Sequence, residues 1–216
     1  MRDLSCQARI ILASSSEVYG SGAKELLSEE HDLIVSCKQP HRMNYAISKM
    51  VDEAYALTYY ECYGIKATVL RIFNVIGPHQ SGNYGMVIPR FIHAAVHNQP
   101  LEIYGDGLQK RSFCDVRDFV FLVGELVKNP QTIGQVFNIG HLEEISILDL
   151  AGLIIDLSAS ASEIKYLSYQ EVYGEWFDDF KYRRPNLNKL KAYIPLQYQW
   201  KLKQTLKDLI LRDQSS

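Results

Sequence analysis

The stretch Ala8-Arg9-Ile10-Ile11-Leu12-Ala13 runs directly into Ser14-Ser15-Ser16-Glu17-Val18-Tyr19-Gly20. A mostly apolar run of this length is typical of a strand that is buried on both faces of a parallel sheet. The serines then follow the carboxyl end of that strand, which is the edge where open parallel sheets bind their ligands. The sequence therefore predicts hydroxyl groups that can hydrogen-bond a substrate.

A long helix and a second strand follow this first strand. Residues 43 to 63 carry apolar side chains at helical spacing, and Gly64 stands where a left-handed residue would end the helix. Residues 65 to 76 are β-rich and mostly apolar, so they predict another buried strand. Strand, helix and strand in this order predict the right-handed crossover of a parallel sheet.

The rest of the chain also alternates between the two patterns, which predicts the α/β class. Helices are predicted at about 86–97, 117–128, 146–158 and 201–212, with a short one after Pro185. Strands are predicted at 101–104, 135–139 and 164–167.

Composition excludes several classes of protein. The 216 residues carry a formal net charge of −2, so no basic field attracts nucleic acid. No apolar run approaches the ~20 residues of a membrane span, and residues 1–6 lack the apolar core of a signal peptide. The four cysteines form no CxxC pair and are predicted to be buried free thiols of a cytoplasmic protein: Cys6, Cys37, Cys62 and Cys114.

Tyr45 and Lys49 form the first chemical constellation. Four residues apart on a helix, their side chains share one face. A neighbouring ammonium group favours the phenolate form of tyrosine, which can then take a proton from a substrate hydroxyl. The same spacing also fits an ordinary surface helix, so the decision depends on the surrounding motifs.

Those motifs resemble the extended short-chain dehydrogenase/reductase family of nucleotide-sugar enzymes. The serine segment 14–20 and Tyr45-Ala-Ile-Ser-Lys49 match in order and spacing, as does Arg71-Ile-Phe-Asn-Val-Ile-Gly-Pro78. Matches continue through Tyr104-Gly-Asp-Gly107, residues 111–118, Val136-Phe-Asn-Ile-Gly140 and Arg183-Arg-Pro-Asn186. The resemblance covers nearly the whole chain.

The resemblance implies a set of functional residues. The catalytic group is Ser15, Glu17, Tyr45 and Lys49. Contacts to the cofactor NAD come from Ser14, Tyr45, Lys49, Phe73 and Val75. Contacts to a nucleotide-sugar substrate come from Asn74, Met86, Val87, Ile88, Tyr104, Arg111 and Arg183. Among these, Arg111 is the expected diphosphate clamp, because a guanidinium fork suits phosphate oxygens.

The same resemblance implies an architecture. Residues 1–76 are expected to be the C-terminal part of an incomplete Rossmann-type parallel sheet, with the strand near 135–140 returning to it. Residues 77–216 are expected to form mainly a smaller α/β substrate-binding lobe. The helix that carries Tyr45 builds a dimer interface in this family, so a homodimer is expected. On that helix Tyr55, Tyr59, Tyr60 and Tyr63 are expected to pack against a partner or the sheet.

Three residues bear on the reaction catalysed. Glu17 matches a glutamate of members that decarboxylate or dehydrate the sugar, whereas Ser16 replaces the aspartate of classical 4,6-dehydratases. Arg183 matches an arginine of UDP-glucuronate decarboxylase-like members and would suit a carboxylate-bearing sugar. Epimerase and decarboxylase chemistry both stay open. The residues are also compatible with a sugar-nucleotide-binding remnant that lacks catalysis and with an inert gene fragment.

The family's glycine-rich phosphate loop does not occur in this sequence. The 13 glycines never take the G-x-x-G-x-x-G spacing after a strand, and the residue that selects NAD or NADP would follow that motif. We therefore expect an N-terminally truncated chain with little turnover alone: a shortened gene product, half of a split enzyme or a cloned fragment.

His93 and His97 are four apart on a helix, but no third ligand is near them in sequence, so no metal site is predicted.

Overall fold

The chain folds into alternating helices and strands. The computed structural model describes residues 8–20, 26–36, 40–82, 86–173 and 183–214. Along these residues the helices are α1 (Pro40–Tyr63), α2 (Val87–Val96), α3 (Val116–Lys128), α4 (Ile147–Ser158), α5 (Tyr169–Tyr173), α6 (Asn188–Tyr193) and α7 (Leu202–Asp213). The strands are β1 (Ile10–Ser15), β2 (Leu26–Leu27), β3 (Ala67–Ile72), β4 (Val75–Ile76), β5 (Leu101–Tyr104), β6 (Lys110–Ser112), β7 (Cys114–Asp115), β8 (Val136–Ile139), β9 (Glu144–Ser146), β10 (Ile164–Leu167) and β11 (Arg184–Pro185).

The parallel strands β1, β3 and β8 form the largest sheet of the described residues, in that order. Ile10 pairs with Ala67 on one side of β3, and Ile72 pairs with Ile139 on the other. Helix α1 connects β1 to β3 and packs on both strands. The predicted α/β class and the parallel strand–helix–strand unit are therefore confirmed.

Two details of the predicted strands are wrong. The sequence predicts that β1 is buried on both faces, yet Ile10, Ile11 and Leu12 are only partly buried, because one edge of β1 has no strand partner among the described residues. The sequence also predicts one strand over residues 65–76, but β3 ends at Ile72. The chain then leaves the sheet, and β4 pairs with β7 instead.

Helix α1 ends where the sequence predicts. Gly64 takes φ = 66°, in the left-handed region that side chains with a Cβ avoid. Its N–H donates to the carbonyl of Tyr60 at 2.9 Å, which satisfies one of the last carbonyl groups of the helix. The chain can therefore turn back at once into β3.

Two apolar clusters flank the ends of the strands. One packs α3 and α6 against the sheet around Leu70, Leu122 and Phe137. The other joins α2, α4 and α7 to β5 around Phe91 and Leu150. The predicted division at residue 76 stays a prediction, and β8 of the second part lies in the sheet beside β3.

Asp115 connects α3 to α7. Its buried carboxylate caps α3 by accepting from the backbone N–H of Arg117 at 2.8 Å. It also accepts from the Arg117 guanidinium and, at 2.6 Å, from the Thr205 hydroxyl on α7. Arg117 in turn donates to Asp208 of α7 at 2.8 Å. A single carboxylate therefore positions two helices of different clusters.

We expect Asp115→Asn to weaken the fold in a pH-dependent way. Burial raises the pKa of Asp115, but the hydrogen bonds from Arg117 and Thr205 outweigh it, so the pKa in the folded chain is lowered. Such a carboxylate stabilises the fold fully above its unfolded pKa of ~3.9, and the stabilisation is lost as pH falls through the folded pKa. The variant should lose about 1–3 kcal/mol at pH 7.

Urea unfolding at a series of pH values measures this difference. It should be largest at neutral pH and shrink below about pH 4, where Asp115 begins to take up a proton in the unfolded chain but keeps its charge in the folded one. Asparagine keeps the ability to cap α3, so the difference reports on the charge rather than on the cap. A difference that does not change with pH would contradict the assignment.

The cysteines divide between surface and interior. Cys114 is a buried free thiol, and burial raises its pKa to about 12. Cys62 is also free but exposed on α1, so the prediction of burial is wrong there. Cys6 and Cys37 lie outside the described residues. Within the described ranges, no helix combines the length and the apolar character needed to cross a membrane.

Candidate active site

A cavity of about 620 Å³ lies at the carboxyl ends of β1 and β3. Its wall combines residues from the sheet, from α1, from the start of α2 and from the last third of the chain. Of the predicted site residues, it is lined by Ser15, Glu17, Tyr45, Phe73, Asn74, Val75, Met86, Val87, Ile88, Tyr104, Arg111 and Arg183. Ser14 and Lys49 are not among the lining residues.

The serine run separates into two environments because successive side chains of a strand point to opposite faces. Ser15 lines the cavity, and its hydroxyl accepts from the N–H of Glu17 at 3.2 Å, which caps the short 3₁₀ helix Ser16–Tyr19. Ser14 is buried and donates instead to the carboxylate of Glu53 on α1. Ser14 is thus held in the structure rather than presented to a ligand.

Tyr45 and Lys49 lie on the same face of α1, one turn apart. The Tyr45 side chain is half exposed at the cavity. The Lys49 Nζ lies 6.0 Å from the centre of the Tyr45 ring and 3.4 Å from the Asp52 carboxylate. A positive charge therefore lies near the phenol ring. The Lys49 ammonium also pairs with the Asp52 carboxylate, and Lys49 is not among the residues that line the cavity.

Glu17 and Arg183 meet across the cavity wall. Their side chains form an ion pair between Nη1 and Oε1, and the arginine side chain is only 10% exposed. Arg183 reaches this position because Arg184 and Pro185 pair with β2, close to the end of the 3₁₀ helix. An arginine and a carboxylate thus stand together beside the hydroxyl of Ser15.

The segment after β3 forms the floor of the cavity. Phe73 is buried, and its N–H donates to the carbonyl of Ile139 at 2.9 Å. The Asn74 side-chain amide donates to the carbonyl of Ser112 at 3.0 Å, which fixes this amide directly before β4 begins. Val75 then pairs with Cys114, so the backbone crosses under the cavity.

The outer wall comes from α2 and the loop after β5. Met86 is exposed and Val87 partly buried, whereas Ile88 is almost fully buried in the apolar cluster. The Tyr104 ring stacks against Arg90, whose guanidinium carbon lies 4.1 Å from the ring centre. Arg111 is half-buried, and its Nη1 donates to the backbone carbonyl of Lys110 at 2.8 Å.

The sequence predictions missed several lining residues, including Arg90, Gln109 and Tyr169. Arg90 donates to the Tyr104 hydroxyl and, at 3.0 Å, to the carbonyl of Glu102. Gln109 donates to the Tyr169 hydroxyl at 3.0 Å. Arg90 could have been found from its position four residues after Met86 on an amphipathic helix. Tyr169 carried no such signal, because only the pairing of β10 with β5 brings it near.

Comparisons with known proteins identify the family of this chain. The sequence pattern of the NAD dependent epimerase/dehydratase family matches residues 1–140. UDP-N-acetyl-alpha-D-glucosaminuronate decarboxylase of Bacillus cytotoxicus is 36% identical over 203 residues, which make up 94% of this chain and 62% of that enzyme.

Two solved structures superpose with a TM-score of 0.82 each. UDP-N-acetylglucosamine 4-epimerase from Methanobrevibacter ruminantium M1, in complex with UDP-N-acetylmuramic acid, is 29% identical, with 94% of this chain and 62% of that one covered. UDP-glucuronic acid 4-epimerase from Bacillus cereus, in complex with UDP-glucuronic acid and NAD, is 25% identical, with 98% and 63% covered.

The chain spans about six-tenths of the length of each of these relatives. The family pattern nevertheless covers well over half of the chain. The resemblance inferred from the motifs is confirmed, and this chain belongs to the NAD-dependent epimerase/dehydratase family.

Proposed function

We propose that this chain binds a nucleoside diphosphate sugar in the 620 Å³ cavity and takes part in its epimerisation through transient oxidation of a ring carbon. The observation that carries the proposal is the shared cavity of Ser15 and Tyr45. Asn74 and Arg111 line the same cavity. Two hydroxyl-bearing side chains suited to proton transfer thus share one cavity with an amide and a guanidinium suited to phosphate, beside the carboxyl ends of parallel strands.

The residues of the chain suit proton transfer at the sugar. Ser15 hydrogen-bonds the reacting hydroxyl, and Tyr45 takes its proton as the carbon is oxidised. Lys49 places its ammonium group 6.0 Å from the centre of the Tyr45 ring, one helical turn away. When bound, NAD would supply the hydride acceptor for this carbon and the hydride donor for its later reduction. Tyr45 then gives the proton back, so no net oxidation results.

The described residues fit one end of NAD. The Tyr45 phenol and the backbone around Phe73 and Val75 offer polar groups and an apolar floor, which suit a ribose hydroxyl and a flat nicotinamide ring. The pyrophosphate end has no counterpart in this sequence, since no glycine-rich turn joins a strand to a helix. The chain therefore contributes the reactive end of the cofactor site.

Orphaned polar atoms also favour a polar ligand. The side-chain oxygens of Gln80 and Gln109 are buried at the cavity wall and have no hydrogen-bond donor among the described residues. A buried acceptor without a donor costs about 1–3 kcal/mol. The hydroxyl and imide groups of a sugar nucleotide are donors that can remove this cost.

Decarboxylation of a UDP-uronate is the second candidate, favoured by the pair of Glu17 and Arg183. A guanidinium that is almost buried beside the Ser15 hydroxyl suits a carboxylate on the sugar. Oxidation at the neighbouring ring carbon makes a β-keto acid, which releases CO₂ without a further catalytic group. The two candidates share the first proton transfer and differ only in the fate of the keto sugar.

Titration calorimetry tests the binding proposal. UDP-glucuronate should bind the purified chain, and Arg111→Ala should weaken binding about 10- to 100-fold, because a charge-assisted bond to phosphate is lost. Lys110→Ala is the matched control, since its exposed side chain precedes Arg111 on β6. Equal losses in both variants would mean that general positive charge, not the Arg111 fork, binds the diphosphate.

The same titrations distinguish an enzyme from a binding protein. Binding of NAD and conversion of the sugar support an enzyme, whereas UDP-sugar binding alone favours a remnant without catalysis. UDP-glucose binding as tightly as UDP-glucuronate would argue against the decarboxylase candidate. A cooperative thermal transition of the chain would exclude an inert misfolded fragment.

A homodimer through α1 is the partner we propose. Five side chains recur every fourth residue and form one exposed row along the helix: Ile47, Val51, Tyr55, Tyr59 and Tyr63. Each is at least 39% exposed, so Tyr55, Tyr59 and Tyr63 are available to a partner, whereas the Tyr60 ring lies against Gly134. Light scattering should give twice the chain mass of 24.7 kDa, and Tyr55→Asp should return it to a monomer by placing a charge in the row.

A further inference from the structure

His93 of α2, His97 at the C-cap of that helix and Asp213 of α7 meet on the surface away from the cavity. His93 and His97 are four residues apart, and α7 packs beside α2 so that Asp213 reaches them. One possible ligand atom from each residue lies within 4.8 Å of the other two. The sequence shows no third ligand near the histidines, because 116 residues separate His97 from Asp213 and only the fold brings them together.

We propose that His93, His97 and Asp213 bind Zn²⁺. Imidazole nitrogen and carboxylate oxygen are ligands that zinc accepts at about 2.0–2.2 Å, in tetrahedral geometry. Two ligand atoms on such an ion lie about 3.4 Å apart. The His93 Nδ1 and the Asp213 Oδ2 are 3.6 Å apart, which is close to this spacing.

A hydrogen bond prepares His97 for metal binding. Its Nδ1 lies 2.8 Å from the carbonyl oxygen of His93. A carbonyl oxygen only accepts, so the proton of the neutral ring sits on Nδ1 and the lone pair on Nε2. Zinc-binding histidines commonly donate their second ring N–H in this way, which fixes the tautomer and the ring orientation.

One oxygen of the Asp213 carboxylate accepts no hydrogen bond from the described residues. This oxygen, Oδ2, is also buried. The helices that carry the three residues are fixed by the apolar cluster, where Ile92 and Ile210 are each 3% exposed. The ligands are therefore held by rigid elements, and the ion joins the end of α7 to α2.

Calorimetric titration of the full reduced chain with ZnCl₂ tests the proposal. We expect one equivalent of Zn²⁺ to bind, and each of His93→Gln, His97→Gln and Asp213→Asn to weaken it by about tenfold or more. His31→Gln is the matched control, because His31 lies outside this cluster and accepts a hydrogen bond from the backbone N–H of Ser28. The affinity of this variant for zinc should equal that of the unsubstituted chain.

Cobalt substitution distinguishes this cluster from the four cysteines. Co²⁺ bound by nitrogen and oxygen shows visible d–d bands without a thiolate-to-metal charge-transfer band. A thiolate band, zinc affinity that survives all three substitutions, or no zinc binding would each overturn the proposal. The cobalt spectrum of the unsubstituted chain decides the ligand type even where a variant fails to fold.

Discussion

Replacing Glu53 by alanine should lower the free energy of unfolding by about 3–5 kcal/mol, the largest loss of stability that we predict. The Glu53 carboxylate on α1 pairs with the Arg71 guanidinium on β3 at 2.8 Å, and both side chains are at most 6% exposed. Alanine would leave the guanidinium buried without a counter-charge, which is the costly way to break such a pair. Urea or thermal unfolding measures the loss.

A second variant separates the buried charge from simple loss of packing. In Glu53→Leu/Arg71→Met both charges are removed together, so most of the stability should return. Lys128→Ala is the exposed counterpart, because it breaks a surface pair with Glu125 on α3; it should cost less than about 1 kcal/mol. A Glu53→Ala loss as small as that of Lys128→Ala would contradict our account.

The Glu53 pair also bears on the site. It belongs to a buried network that extends from Ser14 on β1 to Tyr19, whose hydroxyl accepts from Arg71 at 3.1 Å and donates to Asn138 at 2.7 Å. Glu53 lies about two turns after Tyr45 on α1. The network therefore fixes the helix that presents the phenol relative to the strand that presents the Ser15 hydroxyl.

Tyr45→Phe should reduce sugar conversion by about 10²- to 10⁴-fold, because it removes the hydroxyl that we propose accepts and returns the proton. Single-turnover conditions suit this measurement. The chain is held in excess over UDP-glucuronate with NAD present, and NMR of the sugar products records even slow conversion. UDP-glucuronate should still bind Tyr45→Phe in calorimetry, since the ring and the cavity wall remain.

Tyr55→Phe provides the control for Tyr45→Phe. It removes the same atom from the same helix, at a side chain that is 63% exposed and outside the cavity lining. Its conversion rate should match that of the unsubstituted chain. A Tyr45→Phe variant that keeps more than a tenth of the rate would show that another group transfers the proton.

The sequence predicted most accurately those elements of the fold that depend on residues close to one another along the chain. The apolar runs of β1 and β3 and the glycine after α1 define the crossover, because burial and backbone freedom act on the residues themselves. The chemistry at Ser15 and Tyr45 was inferred from motifs that resemble a family, and the fold brings both to one cavity. Their catalytic roles stay predictions.

Features that depend on distant pairing were missed. The strand pair β2–β11 joins two-residue segments that have no periodicity to detect. Ser14 was expected beside the cofactor, but its partner Glu53 lies 39 residues later. The strand predicted through residue 76 is interrupted because the Asn74 side chain donates a hydrogen bond to the carbonyl of Ser112 and β4 pairs with β7 rather than with the main sheet.

The contact between Glu17 and Arg183 joins residues 166 positions apart. At about 5–20 residues per second, a ribosome needs roughly 8–33 s to travel that distance. During this interval the growing chain does not yet contain the arginine that pairs with Glu17. The pocket wall at Glu17 is thus complete only after Arg183 has been synthesised, and a nascent chain that stops short of β11 lacks the guanidinium that pairs with the Glu17 carboxylate.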